Sequence, residues 1–406
     1  MEVNPVALVM VPLLAVLAPL VAAAVGRVAK VPLVVFEILL GLLVGPSVLG
    51  WVPADEFIGV LANLGLAMLF FMAGNEIDFQ AIKGRPLGRA SLGWLISLAL
   101  GLVVGLVLAP SVEAGVFIGV ALTSTALGTI MPMLRDAGEL KTSFGRAVTA
   151  IGAAGEFGPL IAISLFLSGR KPLVAALVLV AFIVVTGVAI WLASRGPHTR
   201  LHAIISATRH SSAQFAVRLV LLFVAGLVCL SIALGLDMLL GAFAAGVLYR
   251  VLLAGAPEVD KELIESKLEA VAFGFLVPIF FVYTGVTFDL TSLLSSPNAL
   301  LLLPIFLLLF LVVRGLPGVL AAPRGASGND RAAVALFSAT GLPIIVAVTD
   351  IGLDEGVLQP GTASALVGAG MLSVLLFPLL ALGRRRQALH GRVLPPDETV
   401  HVPVEG

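Results

Sequence analysis

The chain has 406 residues, of which 59% are hydrophobic and 12% charged, with a mean hydropathy of +1.13 and a formal net charge of zero. Such a composition needs lipid as its solvent and excludes an ordinary soluble domain, and the zero net charge offers nothing for nucleic acid to bind. A single cysteine, Cys229, excludes both a disulfide framework and a thiolate metal site.

Apolar stretches long enough to cross a bilayer recur near residues 5–26, 32–51, 58–76, 91–110, 115–134, 147–168, 172–194, 213–234, 236–254, 269–288, 298–321, 332–351 and 361–383. They predict an all-α polytopic membrane protein of about thirteen transmembrane helices, numbered one to thirteen here. Segment one is too long for a signal-peptide core, is preceded by Glu2 and is followed by Arg27 and Lys30, so it reads as a retained helix. Segment two carries Glu37 near its start. Segment three ends FFMAGNEIDF, which puts Glu76 and Asp78 at the interface. Segment five contains STALGTIMP, 124–132, and segment six GAAGEFGPL, 152–160. Segment nine opens on Asp237. The stretch PEVDKELIESK, 257–267, alternates charged and apolar residues and suits either an amphipathic surface helix or a solvated connector. Segment ten ends FFVYTGVTFDL, segment eleven contains Arg314, and segment twelve contains SATGLPI, 338–344. Residues 384–406 form a polar tail with Pro395 and Pro396, expected to be disordered. The five histidines fall in loops or the tail, and His198, His202 and His210 lack the helical spacing of metal ligands.

The loops after odd-numbered segments carry the basic residues, from Arg27 and Lys30 to the run Arg384, Arg385 and Arg386. Those after even-numbered segments carry only Arg170 and Lys171. The positive-inside bias then places the amino terminus outside and the carboxyl terminus in the cytoplasm. Segments two, three and five also echo nine, ten and twelve. EILLGLLVG matches DMLLGAFAAG, FFMAGNEIDF matches FFVYTGVTFDL, and STALGTIMP matches SATGLPI. Partners lie seven segments apart, and an odd offset reverses direction across the membrane. One membrane domain, 1–383, would thus contain two inverted repeats, about 32–168 and 236–383, of the kind that builds alternating-access transporters.

The Gly and Pro of segments five and twelve weaken their helices, while Ser124, Thr125, Ser338 and Thr340 can satisfy the freed backbone groups. Ordinary kinks are the plainer reading; matched positions in both repeats favour crossed, discontinuous helices whose ends coordinate a cation. Glu156 is the only ionisable residue between Arg146 and Arg170, which sets it near mid-bilayer. A charge there costs about 2.5 to 3.5 kcal/mol even on insertion scales, which makes it a functional candidate by default. Its small neighbours leave room for close helix approach and for an ion, and the alternative is a structural carboxylate. Arg314 is the one basic residue deep in a segment, either holding Glu156 or fixing helices to one another. Glu37 and Asp237 are candidates for ion funnels or, more blandly, helix-start acids favoured by the dipole.

Four motifs in order, VVFEILLGLLVGPSVLG, LGLAMLFFMAGNEIDF, TSTALGTIMPMLRDAG and VPIFFVYTGVTFDL, resemble the monovalent cation:proton antiporter family, across about residues 5–383. The resemblance implies a homodimer in the bacterial inner membrane that exchanges Na+ or K+ for H+ across a lipid bilayer, with crossed unwound helices and an ion-binding carboxylate in segment six. It implies no cofactor and no metal beyond the transported cation. Where many members carry a polar residue before the carboxylate, this chain has Gly155, and where some carry a lysine in segment ten it has Tyr283, Thr284 and Thr287. The residues expected to bind ion or proton are Glu156, Ser124 and Thr125, supported by Arg314, Gly155, Ser338, Thr340 and Thr284. Two other readings keep the same fold, a sodium-coupled symporter of an organic anion and a gated cation channel. Nothing in the sequence points to an enzyme, because no phosphate loop, metal cluster or nucleophile triad appears.

Overall fold

The computed structural model describes residues 4–26, 31–167, 171–195, 214–254, 256–295 and 297–390. The loop residues Arg27, Lys30, Arg170, His198, His202 and His210, and residues 391–406, lie outside the described residues. Every predicted segment coincides with helix. In chain order these are α1 (Pro5–Val25), α2 (Leu33–Val44), α3 (Glu56–Glu76), α4 (Arg85–Leu108), α5a (Val112–Ala121), α5b (Leu127–Asp136), α6 (Ser143–Phe166), α7 (Pro172–Arg195) and α8 (Phe215–Ala233). Then follow α9 (Met238–Leu253), α10a (Glu258–Val271), α10b (Val277–Thr287), α11 (Pro297–Leu309), α12a (Gly328–Ser338), α12b (Pro343–Asp354) and α13 (Pro360–His390). The labels a and b mark the two parts of one segment.

By length and apolar composition, ten spans among the described residues could cross a bilayer, with α12a and α12b counted as one, against about thirteen predicted segments. Segments two, five and nine supply only the shorter apolar helices Leu33–Val44, Val112–Ala121 and Met238–Leu253. The cause is local. Gly45 and Pro46 stop α2, Asp237 caps α9 only after the turn at Gly235, and α5a ends where the chain unwinds.

Two other expectations are corrected. The stretch 257–267 is neither a separate surface helix nor a connector. It is the start of α10a, which runs through a π-helical turn at Ala272–Leu276 into α10b. Its buried residues Asp260, Ile264 and Leu268 recur every four positions, so one stripe packs inward. The polar tail does not begin at residue 384 either, since α13 continues to His390 because Arg385 is buried in an ion-pair cluster described below.

Helices from the two halves interleave, with α2 against α10b and α3 against α9. Gly41 faces Gly285 in the first pair and Gly74 faces Gly246 in the second, at backbone separations where a Cβ on any of the four would overlap a carbonyl of the opposite helix. Small-residue contact is how helices associate in lipid, where apolar side chains gain little by leaving their solvent. The outer helices accordingly show apolar side chains to their surroundings, among them Val9 on α1, Leu173 on α7 and Leu222 on α8.

Candidate functional site

Two interruptions make the centre of the molecule. Between α5a and α5b residues 122–126 leave helical geometry, and between α12a and α12b residues 339–342 do the same. The broken ends satisfy one another. Thr125 Oγ1 donates to Ser338 O at 2.7 Å, the Ala126 N–H donates to Thr340 O at 2.7 Å, and the Thr125 N–H donates to Gly155 O at 2.9 Å. Freed backbone groups in an apolar interior need such partners, so the crossing is held by hydrogen bonds where helical ones stop.

Glu156 reaches this crossing from α6 and is 4% exposed. Its Oε1 accepts from the Leu127 N–H at 2.9 Å and the Gly128 N–H at 3.4 Å. The carboxylate therefore sits on the amino-terminal end of α5b, where unpaired N–H groups and the helix dipole favour negative charge. The other oxygen, Oε2, is buried without a hydrogen-bond partner. The arrangement gives a buried carboxylate with one oxygen fixed and the other unpaired.

Arg314, 0% exposed, lies in a π-helical turn at Phe310–Gly315 that continues α11. Such turns mark functional positions often enough to be noted. Its Nε donates to Thr125 Oγ1 at 2.8 Å and its Nη2 to Ile151 O at 2.8 Å, while Nη1 is buried without a partner. Of the two roles expected of it, the structure displays the bracing one: Arg314 ties the α5 break to α6, and its hydrogen bonds go to Thr125 and Ile151, none to Glu156. Gly155 explains itself in the same place. A Cβ there would collide with Thr125 Oγ1 and Arg314 Nη2, so the space beside residue 155 is taken by the guanidinium and the Thr125 hydroxyl.

The structure thus brings together Glu156, Gly155, Thr125, Arg314, Ser338 and Thr340. Ser124 borders the group, its hydroxyl donating to Ala121 O at 3.0 Å and lying where a Cβ on Gly341 would go. Ser338 and Thr340 contribute their carbonyls, because their hydroxyls donate within α12a to Val334 O and Leu336 O. Thr284 stays apart, its hydroxyl donating one turn back to Phe280 O. Asp237 is a helix cap, its Oδ1 accepting from the Leu239 N–H at 2.8 Å. Glu37 does line a cavity of about 580 Å³ that also touches Gly128, Thr129 and Arg386 and so leads to the Glu156 end of α5b.

Two features escaped the sequence reading. Glu76, assigned to the interface, is half-buried, and its Oε2 is buried without a partner. Arg385 of α13 forms a buried cluster, Nε and Nη2 donating to the carboxylate of Glu139 at 2.8 and 3.0 Å and Nη1 to Asp330 Oδ1 at 2.7 Å. It also stacks 4.5 Å over the Phe144 ring. The cluster joins the loop after α5b, the starts of α6 and α12a, and the end of α13. Burial pushes the Glu139 carboxyl up, but the bonds from Arg385 and Thr142 outweigh it and hold the group below the usual carboxylate range. A run of three arginines after a long apolar helix looks like a stop signal, which hid the middle one.

The description "sodium/hydrogen exchanger, transmembrane" fits a family model matched over residues 13–382. The chain belongs to the sodium/hydrogen exchanger family. Members of this family are transporters, and the chain is a multi-pass membrane protein. It is 27% identical over 368 residues to the putative Na(+)/H(+) antiporter YjbQ of Bacillus subtilis, covering 86% of this chain but only 58% of that protein's length. It is 27% identical to the Na(+)/H(+)-K(+) antiporter GerN of Bacillus cereus, with 86% of this chain and 88% of that one aligned. Among solved structures, the sodium proton antiporter MjNhaP1 of Methanocaldococcus jannaschii superposes with a TM-score of 0.65 at 20% identity, covering 94% of this chain and 98% of that one, a likeness of fold.

Proposed function

We propose that this family member exchanges a monovalent cation, Na+ or K+, for H+ by alternating access, with Glu156 binding proton and cation in turn. The observation that carries the reading is the carboxylate itself, buried at a helix break with Oε1 on two backbone N–H groups and Oε2 open. A carboxylate so placed is stabilised when charged yet keeps one oxygen for an ion, and a protonated form needs only that same oxygen. Proton and cation then exclude each other, the condition for antiport. One such group suggests a 1:1, electroneutral cycle.

The cavity beside Glu37 supplies the route from one face. With basic residues inside, that face is the cytoplasm, because Arg386 lies at the cavity wall. The paired breaks and the crossed packing of α2 with α10b and α3 with α9 support two inverted repeats. The family resemblance of the sequence implies a homodimer in a bacterial inner membrane, and the proposal keeps that expectation. In proteoliposomes carrying a pH dye, Na+ or K+ should drive a pH change through the parent protein, and Glu156→Gln should reduce it to the rate of empty vesicles. Full exchange by that variant would refute the assignment.

A further inference from the structure

We propose that Ser373, on α13, is a positioning residue for Glu156 that acts through the break in α12. The proposal rests on the reading of Glu156 as the exchanging carboxylate. Ser373 is 0% exposed. Its Oγ accepts the Gly341 N–H at 3.1 Å and lies 3.0 Å from Gly341 O and 2.7 Å from Gly370 O, with one proton to give between them. Gly341 sits inside the break of segment twelve, where its N–H has left the helical ladder. The hydroxyl of α13 takes the place of the missing carbonyl.

From there a continuous line of bonds leads to the site. The residue before Gly341 is Thr340, whose carbonyl accepts the Ala126 N–H at 2.7 Å. Next along the chain from Ala126 are Leu127 and Gly128, whose N–H groups hold Glu156 Oε1. Ser373 thus fixes the peptide whose carbonyl aligns the amides on which the carboxylate rests. The two halves match in this respect. In the first, a side chain from the segment after the broken helix, Glu156 of α6, accepts N–H groups at the break. In the second, Ser373 of α13 does the same for the segment before it. One holder is titratable and the other is not.

The test uses the full chain in proteoliposomes, with Ser373→Ala, Ser373→Cys and Ser373→Thr, driven by whichever of NaCl and KCl the parent exchanges. Losing one neutral hydrogen bond should raise the cation KM about three- to tenfold in the Ala and Cys variants with the maximal rate nearly kept. Thr, which restores the hydroxyl, should return KM to the parent value. Cys refills the volume with a poor hydrogen-bonding group, so it carries the test if Ala does not fold. Hydrogen–deuterium exchange of peptides spanning 339–345 should be faster in Ala and Cys and parental in Thr. A parental KM in either Ala or Cys, a KM raised equally in Thr, or unchanged amide exchange would each overturn the proposal. If the parent itself moves no cation, the exchange reading has failed instead, and amide exchange still decides whether Ser373 holds the break.

Discussion

At the scale of single residues, Gly155 and Glu156 illustrate how differently two neighbours depend on their surroundings. Glu156 was legible from the sequence, because a lone carboxylate in the middle of an apolar helix is costly and has few structural excuses. Its partner atoms were not, since Leu127 and Gly128 contribute backbone N–H groups that carry no residue-type signal. Gly155, among the small neighbours expected to leave room for close approach, is a space requirement in the structure. Adding even one methyl there, Gly155→Ala, must displace the Arg314 guanidinium or the Thr125 hydroxyl. A cost of about 1 to 3 kcal/mol is expected from overpacking of this kind. Thermal unfolding in detergent should show a lowered midpoint, and exchange should fall further than stability does, because the displaced groups belong to the crossing.

At the scale of helices, the discontinuous segments were found by matching Gly, Pro and hydroxyl residues across the two halves, and both breaks lie where those residues stand. What sequence could not provide was which atoms close the gaps, since these bonds join residues up to about two hundred positions apart. The Arg385 cluster is the same lesson in charged form. Removing the guanidinium by Arg385→Met leaves Glu139 and Asp330 facing each other in a buried site, a loss of roughly 3 to 5 kcal/mol for one partner of such a group. Arg385→Lys should fall between, as it cannot serve both carboxylates with a planar fork. The pH dependence has a definite sign. Glu139 is held below its ordinary value of 4.5, so its contribution is complete above that pH and is lost as pH falls through the lower folded value. The melting-temperature gap between parent and Arg385→Met should therefore be widest at neutral pH and above and shrink as pH falls, first as the variant's unpaired carboxyls take up protons and then, below about pH 4.5, as the parent's Glu139 does.

At the scale of the whole molecule, basic residues on one set of loops and a cavity reaching from that face to Gly128 make a claim about sidedness. Cys229 lies exposed on α8, so it must first be replaced by Ala. In that background, Thr129→Cys should react with a membrane-impermeant maleimide applied from the cytoplasmic side, and the rate should fall when the transported cation is present. Labelling only from outside would reverse the topology. The multi-pass, all-helical character was legible in the sequence, because hydropathy is summed over many residues and survives errors at any one. Hydropathy does not say which segments stay helical from end to end, since it measures apolar content alone, and α2, α5a and α9 are shorter than a full crossing.

The anchoring of Glu156 Oε1 on the end of α5b has a kinetic consequence. In the exchange proposed for Glu156, an ion leaving Oε2 would not strand a bare anion, because half of the carboxylate is already held by the protein's own amides. The well that the ion leaves is correspondingly shallow. A site built this way favours rapid turnover over tight capture, so its cation affinity should be modest and its speed limited by the moving helices.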